Sequence, residues 1–130
     1  MPVLDFEASE PMDLGGGAFV KTVNLEKSGK KAMKLSLPPG FDWAKEIAPK
    51  LPGCPASCPA THFGYMVSGS MKVDDDDGTE ETIEAGQTYF VKPGHIPTIL
   101  EGPNAEAIEF SEDSAKQMKA MQDMENLEAA

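Results

Sequence analysis

Alternation of apolar and polar residues runs through most of the chain and is the strongest structural signal in it. Ala18–Leu25 (AFVKTVNL) and Lys30–Leu37 (KKAMKLSL) alternate as half-buried strands do, with Ser28–Gly29 predicting a turn between them. In the second run Met33, Leu35 and Leu37 share one face, and Ala32, Lys34 and Ser36 share the other. A connection rich in proline follows, PPGFDWAKEIAPKLPGCPASCPAT, which permits only a short turn of helix near residues 43–47. HFGYMVSGSMKV then reads as one strand, with His62, Gly64, Met66 and Ser68 on one face and Phe63, Tyr65 and Val67 opposite. Between it and TIEAGQTYFVKPGHIPTIL, Asp77–Gly78 predicts a type I′ hairpin turn. The aspartate run there is a solvated hairpin end, because its spacing does not fit an EF-hand calcium loop. AEAIEF is the last strand.

SEDSAKQMKAMQDMENLEAA changes period. Ala115, Met118, Met121, Met124 and Leu127 recur every three residues behind an acidic first turn, with Ser111 or Ser114 as cap. This is an amphipathic helix whose methionine stripe is packing surface, for the barrel or for a second subunit. Six to eight short strands and one terminal helix describe a small antiparallel barrel or sandwich. The expected division is an N-terminal arm at 1–17, the barrel at 18–110 and the helix at 111–130.

Composition narrows the roles open to such a chain. Twelve Gly and eleven Pro in 130 residues argue against a helix bundle. Acids outnumber bases 22 to 11, and the net charge of −11 repels nucleic-acid backbones and anionic lipid. No apolar run approaches the ~18 residues of a membrane span. The start, MPVLDFEASEPMD, has neither a basic nor an apolar stretch, so no signal peptide is expected. Two cysteines are too few for a disulfide scaffold, and the expected setting is a reducing cytoplasm.

The chemistry rests on few residues. His62 and His95 each open a strand, and inward side chains at strand ends meet near a barrel mouth. Two imidazoles on neighbouring strands can share one metal ion; two ordinary hydrogen-bonded histidines are the plainer reading. Cys58 stands four residues before His62, and thiolate with imidazole suits Zn²⁺, Ni²⁺ or Fe²⁺. Cys54 and Cys58 also read as two free thiols in a proline-held loop, or as a local disulfide. A Cys–His nucleophile pair is conceivable, but the sequence names no third, orienting residue. Phosphate loops, the G-x-S-x-G elbow and the dinucleotide fingerprint are missing, and Trp43 reads as a core lid.

From about Lys30 to Ser111 the chain resembles a cupin, a double-stranded β-helix (jelly-roll) barrel, here with a C-terminal α-helix. Gly69 matches the closing glycine of the first cupin motif, and Gly86 and Gly94 match the glycines of the second. DG-TEE-TIEAGQTYFVKPGH and the later EFS are similar to single-domain cupins with a terminal helix. The ligand positions differ from the motif. His62 stands where the motif has glutamate, Cys58 at its second histidine and Ala56 at its first. Pro97 takes the histidine position of the second motif, and His95 lies one strand period earlier. The resemblance therefore implies a divalent metal on His62, His95 and Cys58.

Three functions are open on this reading. A metal-binding cupin would act on or sense a small polar molecule; a metal-free barrel would bind such a molecule without catalysis. A structural cupin would have its interior filled by Met66, Phe90, Ile99 and Ile108, with no cavity above ~100 Å³. The resemblance also implies a homodimer. Val3–Phe6 is expected to extend a partner's sheet edge, and the Met118–Met121–Leu127 stripe to add apolar surface.

Overall fold

Every alternating run forms β-structure, some of them as more than one strand. β1 (Met12–Gly15), β2 (Ala18–Leu25) and β3 (Lys30–Leu37) form an antiparallel meander. A one-turn helix α1 (Trp43–Glu46) follows, then β4 (His62–Ser68), β5 (Ser70–Asp75), β6 (Glu80–Glu84), β7 (Thr88–Val91), β8 (His95–Ile99) and β9 (Ala105–Glu109). The terminal helix is α2 (Glu112–Ala129). This computed structural model describes residues 3–25, 28 and 30–129, with the side chains of 25, 114 and 124–129 outside the description. Among the described residues there are nine strands, against the expected six to eight. Gly29 of the expected Ser28–Gly29 turn falls outside them.

The strands form two antiparallel sheets, in the orders β1-β2-β3-β9-β4-β7 and β6-β5-β8. From β4 onward the chain crosses between them four times, with the β5–β6 hairpin kept in one sheet, which makes the jelly-roll barrel, and α2 contributes Gln117 and Met118 to the wall of its cavity. The run HFGYMVSGSMKV is therefore two strands. Gly69, at φ 73°, turns the chain from the six-stranded sheet into the three-stranded one. A side chain there would meet the Asn104 carbonyl at 2.6 Å and Ala105 Cα at 2.8 Å, so only glycine lets β9 pass.

The β5–β6 hairpin forms as expected, with a different turn. Gly78 N–H donates to the Asp75 carbonyl (3.0 Å) and Asp75 N–H to that of Thr79 (2.8 Å), enclosing three residues. Gly78 has positive φ and Asp77 does not, whereas type I′ needs both. The Asp77 carboxylate accepts from Thr79 Oγ1 (2.6 Å) and Lys92 Nζ (2.6 Å). These bonds hold its carboxyl below the usual carboxylate range.

The core lies between the sheets. Leu14, Val20, Met33 and Met66 are fully buried, with Trp43 as the expected lid. Ile99 points inward as expected, but Phe90 is 66% exposed and Ile108 takes the outer face of β9. Strand parity is the reason: Tyr89 and Val91 take the inner face of β7, and Ala105, Ala107 and Glu109 that of β9. On α2, Ala115, Met118 and Met121 are buried against this chain's own barrel. Met124 and Leu127 of the expected stripe have side chains outside the description. Val3–Phe6 forms no strand; Val3 is exposed and Phe6 begins a 3-10 turn, Phe6–Ala8.

Candidate metal centre

His62 opens β4 in one sheet and His95 opens β8 in the other, so the two histidines face each other across the barrel mouth. Their rings meet edge to face, with centroids 4.9 Å apart. Cys58 closes the gap from the proline-held loop. Its N–H donates to the His95 carbonyl (2.7 Å) and its carbonyl accepts from Gly94 N–H (2.8 Å), which ties the loop to the start of β8. Ser57 fixes the same loop by donating to Asp76 (2.9 Å). One donor atom each from Cys58, His62 and His95 lies within 4.8 Å of the others. Cys58 and His95 are buried and His62 nearly so.

Hydrogen bonds decide which nitrogen each histidine presents. The Nδ1 of His95 lies 2.7 Å from the Lys92 carbonyl, an acceptor that requires the proton on Nδ1 and leaves Nε2 facing inward. His62 Nδ1 bonds Glu109 Oε1 at 2.8 Å, and its Nε2 lies 3.5 Å from the Cys58 sulfur. The second oxygen of Glu109 accepts from Tyr89 Oη at 2.7 Å. Gly64 makes this possible: a Cβ there would lie 3.0 Å from both Glu109 Cγ and Tyr89 Oη.

This packing perturbs the titrating groups. Burial raises the Cys58 thiol, but hydrogen bonds from His62 and His95 and the charge of His62 outweigh it and bring the thiol to about 6. Burial lowers His62, and its bonds to Cys58 and Glu109, with their charges, raise it to about 10. Burial and the Glu109 carboxylate push the Tyr89 hydroxyl well above its ordinary value. Both shifts favour a thiolate–imidazolium pair in the metal-free site, with the Glu109 carboxylate behind it.

The three residues singled out in the sequence therefore come together, while Cys54 is an exposed free thiol and takes no part. Sequence reasoning missed Glu109, Tyr89 and Gln117. Glu109 left one trace, an acid on the Ala105–Ala107 face of an alternating strand, and it is the third residue the Cys–His pair lacked. Gln117, on α2, brings its Oε1 to 3.6 Å from the Cys58 sulfur.

The donors open on an apolar cavity of about 70 Å³, walled by residues such as Leu35, Trp43, Met66 and Val91. Drug-sized ligands occupy several-fold more than that. An ion and a few water-sized groups fit. This cavity is below the ~100 Å³ expected of a filled barrel, but Phe90 and Ile108, two of its four expected fillers, face outward.

The sequence matches no family model and no curated protein. Solved structures do match in fold. KdgF from Halomonas sp. aligns over 83% of this chain and 91% of its own, with TM-score 0.57 and 17% identity. An RmlC-like cupin from Shewanella frigidimarina aligns over 83% and 89%, with TM-score 0.53 and 19% identity. Hydroxypropylphosphonic acid epoxidase from S. wedmorenis aligns over 85% of this chain and 59% of its own, with TM-score 0.55 and 13% identity. A further matching structure is an Fe(II) form of HppE with an alternative substrate.

Proposed function

We propose that this chain, which has the fold of a small single-domain cupin, holds one divalent transition metal on Cys58 Sγ, His62 Nε2 and His95 Nε2. The observation that carries the reading is the convergence of these three donors, from two sheets and a loop, within 4.8 Å at a buried site. Glu109 holding the remote nitrogen of His62 is the arrangement that metal-ligating histidines ordinarily have. One thiolate and two imidazoles fit Zn²⁺, Ni²⁺ or Fe²⁺. The Fe(II) in HppE is consistent with iron as one of the three.

A bound ion would supply Lewis acidity toward a small polar molecule. The chain's own part is to orient and to exclude water. Cys58 brings negative charge, Glu109 and Tyr89 lock the His62 ring, and the apolar wall keeps the site dry. The cavity of about 70 Å³ favours a small ligand. It also favours a second reading, in which the ion staples the barrel and no ligand enters.

Elemental analysis of protein purified without a histidine tag decides the first point. About one metal per chain is expected, and loss of it in Cys58→Ser and His95→Ala. Less than ~0.1 per chain, with no uptake of added Zn²⁺, Ni²⁺ or Fe²⁺, overturns the reading. A Tm that rises with metal while no small anion or oxyacid perturbs the metal's spectrum favours the structural staple.

The wider role follows from the same features. Both cysteines are free thiols, which fits a reducing cytoplasm. Among the described residues no helix is long and apolar enough to cross a membrane. The charge of −11 disfavours nucleic acid as a partner. The proposed partner is a second copy of this chain, through the outer face of the six-stranded sheet.

A further inference from the structure

Zinc-like ions take four ligands, and the barrel and its loop offer three. Three further oxygen-bearing side chains line the cavity, Tyr89, Glu109 and Gln117, and Tyr89 donates its hydroxyl to Glu109. Glu109 is engaged on both oxygens, by His62 and by Tyr89. Gln117 is different: its Oε1 lies 3.6 Å from the Cys58 sulfur. An ion held on that sulfur would come close to the same oxygen. A carbonyl oxygen beside a cation then has a new partner within reach.

We propose that Gln117 is the fourth donor of this centre, so that the metal and the C-terminal helix hold each other on the barrel mouth. The inference rests on the metal reading above and goes one step beyond it, because α2 becomes part of the site. Independent contacts already place α2 for that role. Thr61 Oγ1, at the foot of β4, donates to Asp113 Oδ2 at 2.6 Å. One turn on, Met118 is buried in the cavity wall, and Met121 is fully buried. Gln117 is thus presented from an anchored helix.

Linkage makes the idea quantitative. If docked α2 strengthens metal binding by some factor, metal must strengthen docking of α2 by the same factor. The test compares full-length wild type with Gln117→Ala and Gln117→Glu. Zinc affinity is measured by competition with a chromophoric chelator, and amide exchange of residues 115–121 with and without zinc. In wild type, zinc is expected to slow exchange in α2. Gln117→Ala should bind zinc roughly ten-fold or more weakly and lose most of that slowing. Gln117→Glu, which keeps an oxygen donor, should retain both.

Zinc binding of equal strength in wild type and Gln117→Ala, with the same protection of α2, overturns the proposal and leaves the three-donor centre standing. Gln117→Glu behaving like Gln117→Ala also overturns it, since the oxygen would then not be the relevant group. Wild type that takes up no metal removes the centre itself, and this inference with it.

Discussion

Glu109 bonds His62 with one oxygen and Tyr89 with the other, so its loss leaves two buried groups wanting partners. Glu109→Gln keeps the shape but removes the charge behind His62. Metal affinity is expected to fall roughly 10–100-fold, read by chelator competition; unchanged affinity would show that the ring needs no anchor. The metal-free site also has a defined pH signature. Cys58 falls from 9.0 to about 6, so its share of stability is complete above 9 and lost as pH drops through 6. His62 rises from 6.5 to about 10, so its share is complete below 6.5 and lost as pH climbs through 10. Between about 6.5 and 9 the folded and unfolded pair each hold one proton, and the two trends cancel. Above 9 only the folded pair keeps a proton, so stability falls. The Tm of metal-free protein should be level from pH 7 to 9 and drop toward 10, more steeply than in a Cys58→Ser/His62→Gln variant. Equal slopes would dismiss the ion pair. Cys58, His62 and His95 were legible because strand openings and a four-residue spacing place them locally. Glu109 is 47 residues from His62, and only the β4–β9 pairing joins them.

The elements were legible where alternation is unbroken and opaque where a single glycine changes sheets. Nothing in HFGYMVSGSMKV distinguishes a continuous strand from two, because glycine inside a strand also marks a bulge. The distinction is steric and long-range: β9 passes over Gly69. Gly69→Ala should therefore cost more than the ~1–2 kcal/mol of a left-handed backbone alone, about 3 kcal/mol or more in denaturant titration. Gly78→Ala is the control, with positive φ but nothing within 4 Å of the added Cβ. It should cost only about 1 kcal/mol. Equal losses would mean that the Asn104–Ala105 backbone simply moves aside. The same contrast between local and distant causes explains α2. Its period of three was readable, and the choice between its own barrel and a second subunit was not.

At the scale of the whole molecule, burying Met118 and Met121 at home transfers the apolar surplus elsewhere. On the outer face of the six-stranded sheet, Phe63 stands opposite Phe90, and Phe110 N–H donates to the Phe63 carbonyl. Tyr65 and Val67 continue the same face of β4, with Ile108 opposite Tyr65. Phe63, Tyr65, Val67, Phe90 and Phe110 are 54%, 42%, 42%, 66% and 56% exposed. At the usual area of such side chains this is roughly 500 Å² of contiguous apolar surface. That is larger than scattered surface hydrophobics account for, and most of the ~800 Å² each partner gives a stable interface. A two-fold axis through this face would set the aromatic rows of two copies against each other. The charge of −11 per chain opposes association, but salt at physiological strength screens charges beyond ~8 Å. Lys21 and Lys34, across β9 from Tyr65, also put positive charge beside the patch. Sedimentation at micromolar concentration should give about twice the 13.9 kDa chain mass. Phe63→Lys/Tyr65→Lys should give the monomer with its metal content intact, because neither side chain touches the centre. A wild-type monomer would overturn the dimer and leave the aromatic face without a partner from this chain.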